Sequence, residues 1–390
     1  MKKRQSRRDA GATTSGETVL ITGGAGFIGS HLGRRLLEQG HRVRALDSLL
    51  PQVHGRGRRP PYLEDDIELL VGDVRDREAV DAALDGVDAV VHLAARVGVG
   101  QSMYEIAEYS SVNTVGTAVL LEAMMDRPVR KLLVASSMSV YGEGLYRDER
   151  GRIVEAVERD RAQLESGRWE PQGPAGERLE PVATPETKQP CLSSIYALSK
   201  FDQERQCLLY GSAYGVPTVA LRFFNAYGPD QALSNPYTGV LAIFAGRLLN
   251  DKPPLVYEDG HQRRDFVSVH DVARACLLAL ERSEADGKVL NVGSGRSVTV
   301  RDVAQRLAAV VGREHVEPQI TGKYRVGDIR HCYADIELAR TTIGYEPQVS
   351  LERGMQELAE WLEGRTADDR REDAERELSA RGLTQWRVPP

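Results

Sequence analysis

The stretch that most constrains the fold is Val19-Leu-Ile-Thr-Gly-Gly-Ala-Gly-Phe-Ile-Gly-Ser-His-Leu32, an apolar run that breaks into glycines and then resumes with helical periodicity. That order predicts a buried strand, a tight turn and a helix N-terminus. Gly23 permits the sharp turn, Gly26 removes the side chain that would hold a pyrophosphate off the backbone, and Gly29 lets the helix pack closely on the strand. A pyrophosphate beside Phe27 and Ile28 would rest on unpaired N–H groups at the positive end of the helix dipole. Arg44-Ala-Leu-Asp47 ends the next apolar run, 18 residues after Gly29. A carboxylate there can accept both ribose hydroxyls of an adenosine, and no Arg or Lys follows closely to hold a 2′-phosphate. The expected cofactor is therefore NAD rather than NADP.

From Val19 the chain alternates strand and helix: Arg42 to Asp47, Ile67 to Val71, Asp88 to Leu93 and Lys131 to Ala135 are strand-like, with helical stretches between them. Such alternation predicts a doubly wound parallel sheet with helices on both faces, and ligands beyond the carboxyl ends of the strands. Asp73 and Val74 fall at one such end, where they can touch the adenine. Leu93, Ala94 and Ala95 fall at another, where they can line the cofactor. Asn113, at the start of the long helix through Met125, is grouped with the cofactor residues. The full expectation is an α/β Rossmann domain over 18–224 and 265–288, with a discontinuous α/β substrate lobe over 225–264 and 289–364. An insertion at 143–190, rich in Arg, Glu and Pro, reads as either solvated surface or a cover for the active site. Residues 1–17 read as a disordered tail, and 365–390 as a charged tail that is either a short surface helix or disordered.

Composition narrows the function classes. A net charge of −6 without a dominant basic stripe argues against nucleic-acid binding. No run of 18 apolar residues occurs and no signal-peptide core follows the basic residues Met1 to Arg8, so a cytoplasmic protein without membrane association is expected. Cys191, Cys207, Cys276 and Cys332 are scattered without CxxC spacing, which predicts reduced thiols and no metal site.

The chemistry points to Tyr196-Ala-Leu-Ser-Lys200, where a phenol and an ammonium at i and i+4 share one helix face. A nearby cation stabilises a phenolate, making Tyr196 usable as a base. Ser137, past the end of a strand, can hydrogen-bond the same substrate oxygen.

Together these features resemble the extended short-chain dehydrogenase/reductases of the NAD-dependent nucleotide-sugar epimerase and dehydratase group. The resemblance runs from Val19 to Leu362. It rests on Thr22-Gly-Gly-Ala-Gly-Phe-Ile-Gly29, Ser136-Ser-Met-Ser-Val-Tyr-Gly142, the Tyr196/Lys200 pair, Leu221-Arg-Phe-Phe-Asn225, Gln262-Arg-Arg-Asp-Phe266 and Arg325-Val-Gly-Asp328. It implies a tightly held NAD, Tyr196 as base, Lys200 on the nicotinamide ribose and Ser137 polarising the sugar oxygen, with Ser139 beside it. It also implies that Asn225, Arg264, Arg325 and Asp328 hold the diphosphate or nucleoside of a dTDP- or UDP-linked sugar, that Gly239, Val240 and Tyr257 pack its base, and that the protein is a homodimer. Dehydratases and decarboxylases of the group carry carboxylates before the Tyr-Gly that matches Tyr141-Gly142. Here Met138 and Ser139 stand instead, which favours 4-epimerisation over elimination or decarboxylation; a sensor without catalysis is the remaining alternative. Ser234-Asn-Pro-Tyr-Thr-Gly239 and the insertion with Trp169-Glu-Pro171 resemble the dTDP-L-rhamnose 4-epimerase-like branch, whose insertion often carries cysteine pairs. None lies between Gly142 and Pro190 here, so no metal knuckle is implied.

Overall fold

The computed structural model describes residues 16–386 apart from 56, 156–157, 234, 236, 238, 326 and 366–370. The expected N-terminal tail as far as residue 15, and single positions of the Ser234 to Gly239 and Arg325 to Asp328 motifs, lie outside the described residues.

Seven parallel strands form the central sheet: β1 (Thr18–Thr22), β2 (Arg42–Asp47), β3 (Glu68–Val71), β4 (Ala89–His92), β5 (Lys131–Ser137), β6 (Thr218–Phe223) and β7 (Val289–Val292), in the order β7-β6-β5-β4-β1-β2-β3. The strands are apolar throughout because both faces are covered. Along β1, Val19 and Ile21 belong to one core layer and Leu20 to the other; β5 divides the same way, with Leu133 and Ala135 opposite Leu132 and Val134. Strand order reverses between β1 and β4, which opens the crevice where ligands bind in such sheets.

Two expected assignments are corrected. Val289–Val292 was expected to begin the second lobe; it is the edge strand of the main sheet, paired with β6 from Val289↔Ala220 to Val292↔Phe223. Asp265 to Val269, expected in the main sheet, instead supplies Phe266–Ser268 to a separate two-stranded sheet with Asn225–Tyr227. A short apolar run records that a strand forms, but not which neighbour it finds.

The second lobe has its own core, in which Leu241, Phe244 and Leu248 pack with Val303, Leu307 and Leu358. The insertion folds as a three-stranded antiparallel sheet of Leu145–Arg147, Ile153–Glu155 and Glu180–Val182. Fully buried Arg330 pins it to the lobe: its guanidinium meets Glu258 and Asp259, each at 2.7 Å, and Glu170 of the insertion at 2.5 Å. Arg159, also buried, pairs with the other oxygen of Glu258 at 2.8 Å. The charged stretch after Gly364 is ordered where described: Arg371–Ala380 is a helix and Thr384–Trp386 a strand paired with Lys323–Arg325.

Candidate active site

A cavity of about 730 Å³ runs along the carboxyl edge of the sheet and out between the lobes. Its first end is the glycine turn. The helix Phe27–Glu38 is capped at its N-terminus by Gly26, with no side chain spent on the cap, so the first N–H groups remain available. Gly23 has φ +70°, and a Cβ there would lie 2.9 Å from the Ala94 nitrogen; one on Gly29 would lie 2.6 Å from the Gly23 carbonyl oxygen. A Cβ on Gly26 would meet protein only at the Gly23 oxygen, 3.2 Å away, its other sides being open. Asp47 accepts from the backbone N–H of Leu49 at 2.9 Å and of Ala25 at 3.1 Å, which fixes its carboxylate beside the turn. A backbone cradle, a helix N-terminus and a positioned carboxylate are the groups that an adenosine diphosphate requires, so the residues present fit NAD. Phe27, Ile28, Asp73, Val74, Leu93, Ala94 and Ala95 line the same end. Arg75 grips Asp73 at 2.7 Å and holds its carboxyl below the ordinary aspartate range.

Asn113 is the exception among the expected cofactor residues. It is fully buried and does not line the cavity. Its carbonyl oxygen accepts from Arg96 N at 2.7 Å, and its amide donates to Arg96 O at 3.1 Å and Ser199 Oγ at 2.9 Å. The helix ahead of Gly116–Asp126 widens into a π-turn over Ser110–Val115, a local change of winding that a regular helical reading does not anticipate. Asn113 thus fixes the loop after β4.

At the middle of the cavity Ser137 ends β5, and its Oγ accepts from Ser139 N at 3.1 Å and donates to Ser139 Oγ at 3.2 Å. Tyr196 stands in the first turn of the helix Ile195–Tyr214, whose cap Ser194 accepts from Ala197 N at 3.1 Å; Tyr196 N itself donates to Ser102 Oγ at 3.0 Å. Burial raises the phenol pKa while a hydrogen bond with Ser137 pulls the other way. Burial also lowers the Lys200 ammonium to about 8, and Nζ donates to Gln203 Oε1 at 2.8 Å. The expected lowering of the phenol by Lys200 is therefore not seen: burial raises it, and the opposing pull comes from Ser137. The sequence reading missed Gln203, whose amide reaches Thr117 Oγ1 at 2.9 Å and Ala94 O at 3.3 Å; buried His92 joins the hydroxyls of Thr22 and Thr117 at 2.7 and 2.9 Å. A polar residue one turn beyond Lys200 was the available signal.

The far end collects Asn225, Gly239, Val240, Tyr257, Arg264, Arg325 and Asp328 from separate segments. Arg264 donates to Arg330 O at 3.0 Å and lies 3.8 Å from Asp328. The Arg325 guanidinium sits 5.5 Å from the centre of the Tyr257 ring. Among the described residues, Arg325 Nε, Asn225 Oδ1, Gln231 Oε1 and Gln262 Oε1 are buried without partners, and all four residues line the cavity. Buried polar groups are normally paired, so this end is built to receive a polar ligand.

Comparisons with known proteins agree with the geometry. Residues 19–293 match the family model for the NAD dependent epimerase/dehydratase family. The chain is 39% identical over 357 residues to a dTDP-L-rhamnose 4-epimerase of Burkholderia thailandensis, covering 89% of this chain and 95% of that one. Among solved structures, the UDP-glucose 4-epimerase of Thermotoga maritima with UDP-glucose superposes with a TM-score of 0.73 at 31% identity, over 88% of this chain and 98% of that one. The UDP-glucuronic acid 4-epimerase of Bacillus cereus in complex with UDP-glucuronic acid and NAD gives 0.72 at 27% identity, over the same shares. With the Rossmann sheet, the glycine cradle and the serine, tyrosine and lysine on one cavity, the chain belongs to the NAD dependent epimerase/dehydratase family.

Proposed function

We propose that the protein is a 4-epimerase of nucleoside-diphosphate hexoses, with a dTDP- or UDP-linked sugar as substrate and a dTDP-linked 6-deoxyhexose as the first candidate. The observation that carries this reading is the set of groups at the cavity's centre: Ser137, Tyr196 and Lys200 face it, while Met138 and Ser139 offer no carboxylate. Elimination or decarboxylation by the family's usual acids has no acid there, whereas epimerisation needs only reversible oxidation at one carbon. Tyr196 Oη takes the proton of the C4 hydroxyl and Ser137 Oγ holds that oxygen. NAD held at the Gly23, Gly26 and Gly29 turn, with Asp47 on its adenosine ribose, would supply reversible hydride acceptance at C4, which is what inversion there needs. Tyr196 then returns the proton, so no atom is gained or lost. Lys200 keeps positive charge next to the site, and Arg264 and Arg325 suit the diphosphate because a guanidinium fork matches its oxygens.

Similarity to the Burkholderia dTDP-L-rhamnose 4-epimerase supports the choice of sugar. A homodimer fits the apolar side chains of Val115, Met125, Leu198 and Leu209, which are exposed on and beside the helices Gly116–Asp126 and Ile195–Tyr214. A cytoplasmic setting suits four free cysteines. The test is incubation with dTDP-L-rhamnose, UDP-glucose and UDP-glucuronate, each carrying deuterium at C4, followed by NMR. Inversion at C4 with the label retained is the expected result. Release of carbon dioxide, a 4-keto-6-deoxy product, or loss of label to water would overturn the reading.

A further inference from the structure

The segment after Gly364 returns to the far end of the cavity. Leu378, on the helix Arg371–Ala380, lines that cavity and is 1% exposed. It lies over Gly100, where an added Cβ would come within 3.2 Å of Leu378 Cδ2 and 3.9 Å of Arg325 Cζ. On the same face Glu375 is buried, accepting from Tyr257 Oη at 3.1 Å and from Lys323 Nζ at 2.7 Å. The strand Thr384–Trp386 then pairs antiparallel with Lys323–Arg325, placing Thr384 opposite Arg325. The segment also touches the other parts of the molecule. Gln385 Oε1 accepts from Arg161 of the insertion at 2.7 Å and from Tyr324 Oη at 3.0 Å, and the Arg381 guanidinium lies 4.4 Å from the centre of the Tyr104 ring.

We propose that residues 371–386 form a wall of the nucleotide-sugar site and set its affinity for the nucleoside diphosphate, with Leu378 as the apolar contact and Glu375 as the positioning residue. The charges are sorted to that end. Glu375 occupies the Lys323 ammonium and the Tyr257 hydroxyl, so the Tyr257 ring is held where the Arg325 guanidinium lies over it. Arg325, whose Nε is buried without a partner among the described residues, then faces the cavity. An uncharged, apolar side chain beside that guanidinium keeps water away and strengthens its pull on a diphosphate.

The inference rests on the nucleotide-sugar reading of this cavity, so its test uses binding and not turnover. UDP, dTDP and NAD are titrated calorimetrically into the full chain, into Leu378→Ala and into Glu375→Gln. In both variants the Kd for UDP or dTDP is expected to rise about tenfold or more, while the Kd for NAD stays within about twofold. A merely structural role would move the NAD and nucleotide constants together. Unchanged nucleotide Kd in both variants, or a parallel loss of NAD binding, overturns the proposal and leaves the reading of the cavity standing. A full chain that binds neither UDP nor dTDP overturns both.

Discussion

Replacing Gly29 by alanine tests whether the turn is the cofactor cradle. The added methyl would lie 2.6 Å from the Gly23 carbonyl oxygen, 2.7 Å from Gly24 Cα and 2.8 Å from the Gly24 carbonyl oxygen, all of them backbone atoms. Ordinary contact begins at 3.4 Å, so the turn and the helix must part by 0.8 Å. Neither can yield locally, because Gly23 N is tied to Leu46 O at 2.7 Å and Ser30 N to Gly26 O at 2.9 Å. Overpacking of this kind costs about 1–3 kcal/mol. If the unliganded turn relaxes and must be pulled back to bind, that energy is read as a weakening of NAD binding by roughly 5- to 150-fold. If it does not relax, the same energy is read as lost stability. Gly26→Ala separates the two contributions. Its methyl meets only the Gly23 oxygen at 3.2 Å and otherwise enters the cavity, so its effect should fall on NAD affinity with unfolding unchanged within about 0.5 kcal/mol. Titration calorimetry with NAD and chemical denaturation measure both quantities. A Gly29→Ala protein with NAD affinity and stability both matching the parent would refute the cradle.

Tyr196→Phe removes the hydroxyl proposed to move the proton; turnover should fall by roughly 10²–10⁴-fold while NAD and nucleotide Kd values hold, as read by steady-state assay and calorimetry. Burial holds the imidazole of His92 down to about 3 and that of His31 down to about 4, whereas both titrate near 6.5 in an unfolded chain. As pH falls from about 6.5 towards 4, the unfolded chain takes up two protons that the folded protein refuses, so stability must decline, by about 1.4 kcal/mol per pH unit for each histidine. Denaturation at pH 6.5, 5.5 and 4.5 measures that slope, and His92→Asn should remove about half of the histidine contribution. Arg330→Met leaves the buried carboxylate of Glu258 with one of its two cations gone; a loss of about 3–5 kcal/mol is expected, together with faster protease cleavage within 143–190.

The parts of the molecule that could be read in advance are those in which local pattern and chemistry coincide. The glycine spacing fixes a turn whose steric reasons reappear as short Cβ distances, and the i, i+4 pair of Tyr196 and Lys200 does reach one cavity. Segments scattered between Asn225 and Asp328 converge on its far end. What escaped depends on long-range choices. Val289–Val292 reads as a strand in any setting, and only packing decides that it joins Thr218–Phe223. The phenol and ammonium at Tyr196 and Lys200 are tuned by burial, which spacing along a helix does not reveal. The helix Arg371–Ala380 buries only Ala374, Glu375 and Leu378 among its described side chains, too few apolar positions for its charged sequence to advertise a packed face.

The two ends of the cavity are supplied by different stretches of the chain. Every group of the proposed cofactor cradle lies upstream of the strand Thr218–Phe223, whereas the arginines proposed for the diphosphate are Arg264 and Arg325, and the leucine proposed to cover them is Leu378. The dinucleotide berth is thus drawn from one early stretch of sequence, whereas the seat for the sugar nucleotide is gathered from distant later ones.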